Sequence, residues 1–144
     1  MTRRPLNLLL ADDSPSDLLL IEMALDSTGL PYELQTALDG LEVMEALQDR
    51  LRASHLPDFL LLDLNMPRMD GFEVLTALHR NPDLATIPVI VLTTSDARAD
   101  QERAHTLGAR AFVTKPLNFD GLTSVLQRLH AHWQGQAELP GQWE

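Results

Sequence analysis

Four short apolar segments constrain the fold of this chain more than any other feature. Each is rich in branched or aromatic apolar residues and alternates little between apolar and polar positions. Strands that are buried on both faces have this pattern. The segments are LNLLLA from Leu6, FLLL from Phe59, IPVIVL from Ile87 and ARAFV from Ala109. A fifth segment, YELQTAL from Tyr32, alternates more and is predicted to form an edge strand.

Stretches of helical length separate these segments, so the elements alternate β-α five times. In the first stretch Ser14 offers a capping hydroxyl and Gly29 a stop, which predicts a helix over about Pro15 to Thr28. Further helices are expected from Gly71 to the residue before Pro82, over Ala97 to Leu107 and over Asn118 to Trp133. This order predicts one α/β domain with a parallel sheet that is doubly wound, with helices on both faces.

Composition narrows the class of protein. A chain of 144 residues fits a single domain. The formal net charge of −10 argues against a nucleic-acid surface, which needs concentrated positive charge. The chain has no cysteine, its start is too short and acidic for a signal peptide, and no apolar run approaches the roughly 18 residues of a membrane helix. We therefore expect a cytoplasmic protein with no nucleic-acid or membrane partner.

A polar residue suited to phosphoryl chemistry follows each central apolar segment. The carboxyl ends of parallel strands lie along one edge of a sheet, where open α/β sheets bind their ligands. Any one of these residues alone would ordinarily cap a helix or face solvent. Their joint occurrence at one edge predicts a functional site. The residues are Asp12, Asp13, Asp63, Thr93, Thr94 and Lys115.

The chemistry of these side chains points to a metal ion and a phosphoryl group. Three neighbouring carboxylates repel one another unless a cation joins them, and Mg²⁺ is the hard ion that such sites recruit. Lys115 would supply a compact positive charge and Thr93 a hydroxyl donor for phosphoryl oxygens. An aspartate that attacks phosphorus forms an acyl phosphate.

Four motifs closely resemble the receiver domain of two-component response regulators. They are ADDSPSD, LLLDLNMPRMDGFEVL, VIVLTTSD and AFVTKPL, and the resemblance extends over about Leu6 to Leu129. It implies a flavodoxin-like (βα)5 fold, resembling the chemotaxis regulator CheY, with five parallel strands in the order 2-1-3-4-5. Residues 1–133 would form the receiver domain and residues 134–144 a C-terminal extension.

The resemblance also implies the role of each residue at the strand ends. Asp63 would be the phosphoacceptor, which takes a phosphoryl group from a sensor histidine kinase. The metal ion, Mg²⁺ or Mn²⁺ in its place, would be bound by Asp13 directly, by Asp12 mainly through water, by Asp63 and by the backbone carbonyl of Asn65.

Thr93 and Lys115 would then bind the phosphoryl oxygens, and the Lys115–Pro116 peptide bond would be cis, as is common in the family. Phe112 stands at the position of the family's switch aromatic, usually a tyrosine. Phosphorylation is expected to pull Thr93 inward, draw Phe112 into the space behind it and repack the face made by the fourth helix, fifth strand and fifth helix. Thr94 replaces a smaller residue of many relatives, which predicts slow autodephosphorylation.

In its general features the chain is similar to stand-alone regulators that serve bacterial phytochrome kinases, and that subfamily dimerises. This likeness implies a bacteriophytochrome partner and a homodimer through the same face and the C-terminal extension. Trp133, Leu139 and Trp143 are apolar residues in or near that extension. They are consistent either with a dimer contact or with a tail that folds back on its own domain.

Two other classes of protein fit the sequence less well. A phosphatase of the haloacid dehalogenase kind would carry a second acid two residues after Asp63, where this chain has Asn65. A flavodoxin-type binding module would carry a hydroxyl- and glycine-rich loop after the first strand, where this chain has Asp12 and Asp13. Within the receiver class the sequence leaves three outputs open: signalling by protein contact, a phosphorelay, and control of a motor or kinase. Transcriptional control by this chain alone is not expected, because no DNA-binding domain follows the receiver.

Overall fold

The computed structural model describes residues 4–141, in which five strands and five helices alternate along the chain. They are β1 (Leu6–Ala11), α1 (Pro15–Ser27), β2 (Tyr32–Ala37), α2 (Gly40–Arg52), β3 (Phe59–Leu62), α3 (Gly71–Arg80), β4 (Val89–Thr93), α4 (Arg98–Thr106), β5 (Ala111–Thr114) and α5 (Phe119–Trp133). The strands pair in parallel in the order β2-β1-β3-β4-β5, which confirms the predicted fold. None of the described helices has the length and apolar character needed to cross a bilayer.

Two apolar layers cover the two faces of the sheet. Alternate residues of each strand point to opposite faces, so Leu9 of β1 joins the layer under α2, α3 and α4, while Leu8 and Leu10 join the layer under α1 and α5. Every residue of β1, β3 and β4 is buried, as their unbroken apolar runs predicted. Strand β2 lies at the edge and is mostly half-exposed or exposed.

Side-chain caps set the starts of the helices at the edge where the carboxyl ends of the strands lie. The Ser14 hydroxyl accepts a hydrogen bond from the Asp17 N–H, and Asp70 forms a capping box with Glu73 at the start of α3. The Asn118 side chain accepts from the Gly121 N–H and caps α5. These contacts satisfy N–H groups that have no partner within the helix, which is why the predicted starts lie within one residue of the observed ones.

The fourth and fifth strands begin two residues later than the apolar runs suggest. Ile87 belongs to a turn in which its N–H donates to the Leu84 carbonyl. Ala109 follows the C-terminus of α4, where Gly108 has φ +101° and the Ala109 N–H donates to the Ala104 carbonyl. This is the Schellman arrangement of a helix C-terminus, and it occupies a backbone group that would otherwise extend β5.

The described part of the C-terminal extension folds back on its own domain. Leu139 is 4% exposed and lies in the layer under α1 and α5. The Gly141 carbonyl accepts a hydrogen bond from the Phe112 N–H at 3.1 Å, on the outer edge of β5. A Cβ at Gly141 would lie 2.3 Å from the Phe112 carbonyl oxygen, so glycine allows this close approach. Trp143, the other apolar residue expected to contribute, lies outside the described residues.

Tyr32 provides a test of the packing of β2 against α1. Its hydroxyl donates a hydrogen bond to the Asp26 carboxylate, and this bond, more than the accompanying burial, raises the pKa of Tyr32 to about 12. Tyr32 is the one tyrosine of the chain, so tyrosinate absorbance reports on it alone. We expect Asp26→Asn to lower the titration midpoint toward the ordinary value of about 10.

The matched control is Glu22→Gln, one turn earlier on α1, because Glu22 adds only the smallest of the effects that raise the pKa of Tyr32. It should leave the midpoint near 12. Since the neutral phenol is the stabilised form, the contribution of this bond to stability is complete below about pH 10 and is lost as the pH rises through about 12. An unchanged midpoint in Asp26→Asn would contradict the contact.

Candidate functional site

Three carboxylates meet at the carboxyl ends of β1 and β3. These strands pair with Ala11 opposite Leu62, which brings the residues that follow them to the same edge. Oxygens of Asp12, Asp13 and Asp63 lie within 4.8 Å of one another. Asp12 and Asp63 are 1% and 6% exposed, whereas Asp13 is exposed. This all-oxygen donor set, with one open side, fits a hard divalent cation that keeps some of its water.

Lys115 inserts its ammonium group among the carboxylates. Its Nζ lies 2.5 Å from Asp12, 2.8 Å from Asp17 and 3.3 Å from Asp63. The side chain is only 12% exposed. The Lys115 N–H donates to the Thr93 carbonyl at 2.7 Å, which extends the β4–β5 pairing by one residue and directs the lysine to this edge. The lysine therefore offsets much of the carboxylate repulsion.

Burial and nearby charges shift the pKa values of Lys115 and Asp12 in opposite directions. Burial lowers the pKa of Lys115, but the hydrogen bonds to Asp12 and Asp17, together with the charge of Asp63, outweigh it and raise the pKa above its ordinary value. Burial raises the pKa of Asp12, against the opposing effect of its hydrogen bonds from Lys115 and from the Ser14 N–H. Lys115 is therefore a permanent cation at neutral pH.

Asp17 contacts Lys115 at this site, although the sequence alone did not indicate it. The sequence showed it only as an acid in the first turn of α1. Because α1 begins at the same edge at which β1 ends, an acid in its first turn lies within reach of a lysine after β5. This geometric relation could have identified Asp17 as a partner of Lys115, but only once the strand order was known.

One expectation is wrong. All peptide bonds among residues 4–141 are trans, including the bond between Lys115 and Pro116, which the family resemblance implied to be cis. The two isomers of a bond before proline differ by only about 0.5–1 kcal/mol, so the local context decides between them. Here Lys115 reaches the carboxylates from the trans peptide.

The remaining predicted residues surround the carboxylates. Thr93 is fully buried at the end of β4, and its hydroxyl accepts a hydrogen bond from the Ser95 N–H at 3.4 Å. The Asn65 N–H donates to Asp63 Oδ1 at 3.3 Å. Phe112 pairs in register with Val91 and is 7% exposed, so its aromatic ring is buried. Thr94, next along the chain, is exposed.

Gly71 fits the start of α3 closely against the loop that carries Asp63. A Cβ at Gly71 would lie 2.6 Å from the Asp63 carbonyl oxygen and 2.8 Å from the Leu64 Cα. The Gly71 N–H also donates to the Leu64 carbonyl at 3.0 Å. The glycine therefore holds the backbone of the candidate phosphoacceptor in place, beyond its predicted role as a helix start.

Comparison with known proteins identifies the family. Residues 8–127 match the model of the response regulator receiver domain, a range that contains the whole site. The chain belongs to that family. This receiver is 37% identical over 138 residues to the response regulator Rcp1 of Synechocystis sp., covering 94% of both chains.

Solved structures agree with this receiver in both fold and length. The phosphorylated cyanobacterial phytochrome response regulator RcpA superimposes with a TM-score of 0.83 at 34% identity, covering 95% of this chain and 99% of that one. The Mn²⁺-bound form of Rcp1 gives a TM-score of 0.79 at 37% identity, covering 94% and 99%. The receiver is therefore a homologue of single-domain regulators linked to phytochromes.

Removal of Lys115 should destabilise the metal-free receiver. In Lys115→Ala, buried carboxylates lose their cation, and breaking a buried ion pair in this way costs about 3 kcal/mol or more in the free energy of unfolding. Mg²⁺ should restore more stability in this variant than in the wild type, because no lysine then competes for the same oxygens. Urea unfolding with and without Mg²⁺ measures both effects.

Arg98→Ala is the control for that measurement, because Arg98 is 90% exposed and its ion pair with Glu102 should contribute little. A Lys115→Ala variant as stable as the wild type, with an equal gain from Mg²⁺, would show that Lys115 does not neutralise the carboxylates.

Proposed function

We propose that this receiver takes a phosphoryl group from a histidine kinase onto Asp63 in a Mg²⁺-dependent reaction. The observation that carries the proposal is a buried Asp63 that shares one sheet edge with two further carboxylates and lies 3.3 Å from the Lys115 ammonium. The phosphorylated state of RcpA and the Mn²⁺-bound state of Rcp1 support it, because both relatives share the fold and more than a third of the sequence.

The chemistry would proceed by nucleophilic attack at phosphorus. A carboxylate oxygen of Asp63 forms an O–P bond while the P–N bond of the donor phosphohistidine breaks, and the imidazole nitrogen takes up a proton as it leaves. The attacking and leaving atoms lie roughly in line, so the protein contributes mainly positioning and charge. Asp12, Asp13, Asp63 and the Asn65 carbonyl would hold Mg²⁺, which supplies positive charge against the phosphoryl oxygens when bound.

Lys115 has a second role in this proposal. In the present structure its ammonium group is shared among Asp12, Asp17 and Asp63. With the carboxylate charge offset by a bound cation, the Lys115 ammonium would be free to contact a phosphoryl oxygen. The Thr93 hydroxyl, at the end of the neighbouring strand, would donate to another. The site thus exchanges one set of charge contacts for another during phosphorylation.

An exposed apolar surface beside the site would accept the kinase. Leu19, Leu20 and Met23 of α1 are 59%, 40% and 50% exposed, and Leu117 on the β5–α5 connection is fully exposed. Leu20 lines a small cavity together with Asp17, Lys115 and Pro116, so this apolar surface is continuous with the charged site. A kinase helix docked there would bring its phosphohistidine to Asp63. We propose a bacteriophytochrome-type kinase, by analogy with RcpA, and a cytoplasmic reaction.

The output would be a rearrangement of the α4-β5-α5 face, accompanied by homodimerisation. Phe112 of β5 is buried beside β4, and its backbone N–H bonds to Gly141 of the C-terminal extension. A movement of β5 would therefore also displace the C-terminal extension. We keep residues 1–133 as the receiver unit and residues 134–144 as an extension that takes part in this output.

Phosphorylation can be measured directly by intact mass. With Mg²⁺ and acetyl phosphate, the wild type should gain the mass of one phosphoryl group, and Asp63→Asn should gain none because an amide is not a nucleophile for phosphorus. Asp96→Asn is the control, since Asp96 is an exposed carboxylate of the β4–α4 loop and should leave the gain unchanged. The absence of an adduct in a folded, Mg²⁺-binding wild type would contradict the proposal.

The same samples test the lifetime of the acyl phosphate and the output. Because Thr94 directly follows Thr93 and is bulkier than the residue of many relatives, we propose slow autodephosphorylation, so loss of the adduct within seconds would contradict this part.

Light scattering should show a larger dimer fraction in the phosphorylated wild type than in Asp63→Asn under the same conditions. An identical mass in both would contradict dimerisation as the output and leave the phosphoacceptor role intact.

A further inference from the structure

The loop between β4 and α4 is tied to Thr93 by a short series of hydrogen bonds. The Ser95 hydroxyl donates to Asp100 Oδ2 at 2.7 Å and accepts from the Ala97 N–H at 3.2 Å. The Ser95 N–H donates to Thr93 Oγ1 at 3.4 Å, and the Thr114 hydroxyl donates to the Ser95 carbonyl at 3.2 Å. Ser95 thus connects the end of β4, the end of β5 and the first turn of α4.

The local sequence explains why this loop depends on Ser95 and Asp100. Ala97 occupies the N-cap position of α4, and its side chain cannot accept a hydrogen bond. The Ser95 hydroxyl, two residues earlier, accepts instead from the N–H of Ala97 itself and donates to Asp100, which lies in the first turn of α4, where a negative charge is favourable. Both residues are half-buried, so their bond is partly protected from competition by water.

The same bonds determine what the Thr93 hydroxyl contacts in this structure. Thr93 is fully buried. In the described part of the chain its hydroxyl bonds to the Ser95 N–H of its own loop rather than to Asp63 or the Lys115 side chain. The Thr93 hydroxyl accepts this bond and keeps its own proton, and because a β-branched side chain has few rotamers, the bond restricts the direction in which that proton can be donated.

We propose that the Ser95–Asp100 hydrogen bond acts as a latch that holds Thr93 in the resting state and thereby opposes phosphorylation of Asp63. The inference rests on the proposed function and adds two positioning residues to it, which act through Thr93 and do not touch the phosphoryl group. Opening of the latch frees the loop, and the loop then carries Thr93 toward the phosphoryl oxygens. The strength of this one bond sets how readily the receiver is activated.

A latch and a purely structural contact predict opposite effects on phosphoryl binding. Loss of a structural contact loosens the site and weakens binding of a phosphoryl analogue. Loss of the latch removes a competitor of the bound state and strengthens it, even though the resting protein becomes less stable. The sign of the change therefore separates the two explanations.

Calorimetric titration with beryllium fluoride, a phosphoryl mimic, in saturating Mg²⁺ tests the latch. Ser95→Ala and Asp100→Ala should each bind the mimic roughly two- to tenfold more tightly than the wild type, the range expected for one net hydrogen bond. The double variant should bind no more tightly than the better single variant, because both substitutions break the same bond. Mg²⁺ affinity, measured alone, should not change and verifies an intact carboxylate site.

Two conservative variants serve as controls. Asp100→Asn keeps an oxygen that can accept from the Ser95 hydroxyl and should bind like the wild type. Glu102→Gln removes a negative charge from the same helix, where Glu102 pairs only with exposed Arg98 in the described contacts, and should also bind like the wild type. If Asp100→Asn instead behaved like Asp100→Ala, the charge of Asp100 and not the bond would be responsible, and the latch would be overturned.

The outcomes distinguish the latch from the proposed function. If the wild type fails to bind beryllium fluoride although it binds Mg²⁺, the phosphoacceptor role of Asp63 fails together with the latch. If the wild type binds but Ser95→Ala and Asp100→Ala bind equally or more weakly, the latch alone is wrong. Circular dichroism establishes that each variant is folded, and Ser95→Ala by itself decides the sign if Asp100→Ala does not fold.

Discussion

The placement of one lysine among buried carboxylates is the interaction on which this receiver depends. Asp12 and Asp63 are almost completely buried at the ends of adjacent strands. Burial of an unpaired negative charge is energetically costly. The ammonium group of Lys115 offsets the energetic cost of burying these charges. Lys115 follows β5, which lies three strands from β1 in the sheet. The four strands from β1 to β5 in the sheet, β1, β3, β4 and β5, must therefore be assembled in order before the charges are balanced, so the fold and the site stabilise each other.

The site is set on rigid strands but controlled by loops. The carboxylates directly follow the buried strands β1 and β3, and Thr93 is the last residue of the buried strand β4. Gly71 packs the start of α3 against the Asp63 carbonyl. The groups that move in our proposals lie on connections, namely Ser95 after β4 and Lys115 after β5. Mobile contacts on a close-packed frame allow a local charge change to select between two arrangements without disturbing the core.

The C-terminal extension shows how a short segment becomes part of a domain without forming a helix or strand of its own. Leu139 completes the apolar layer under α5, and Gly141 satisfies a backbone N–H at the edge of β5 that would otherwise face solvent or another chain. Covering that edge places the extension beside Phe112, the proposed switch residue. An extension in this position can respond to the state of the site although it lies away from the carboxylates.

The sequence by itself determined the element order, most helix starts and the residues gathered at the sheet edge, because buried strands, caps and the motifs around Asp63 and Lys115 are local patterns. The strand order came from the family resemblance, not from those patterns. Only the tertiary structure decided that Lys115 bonds Asp17, that its peptide bond to Pro116 is trans, that Ser95 joins Asp100 to Thr93, and that Leu139 is buried. The contacts arise between elements that are far apart in the sequence, and the cis and trans forms of the Lys115–Pro116 bond differ little in free energy. No local sequence pattern predicts either kind of feature.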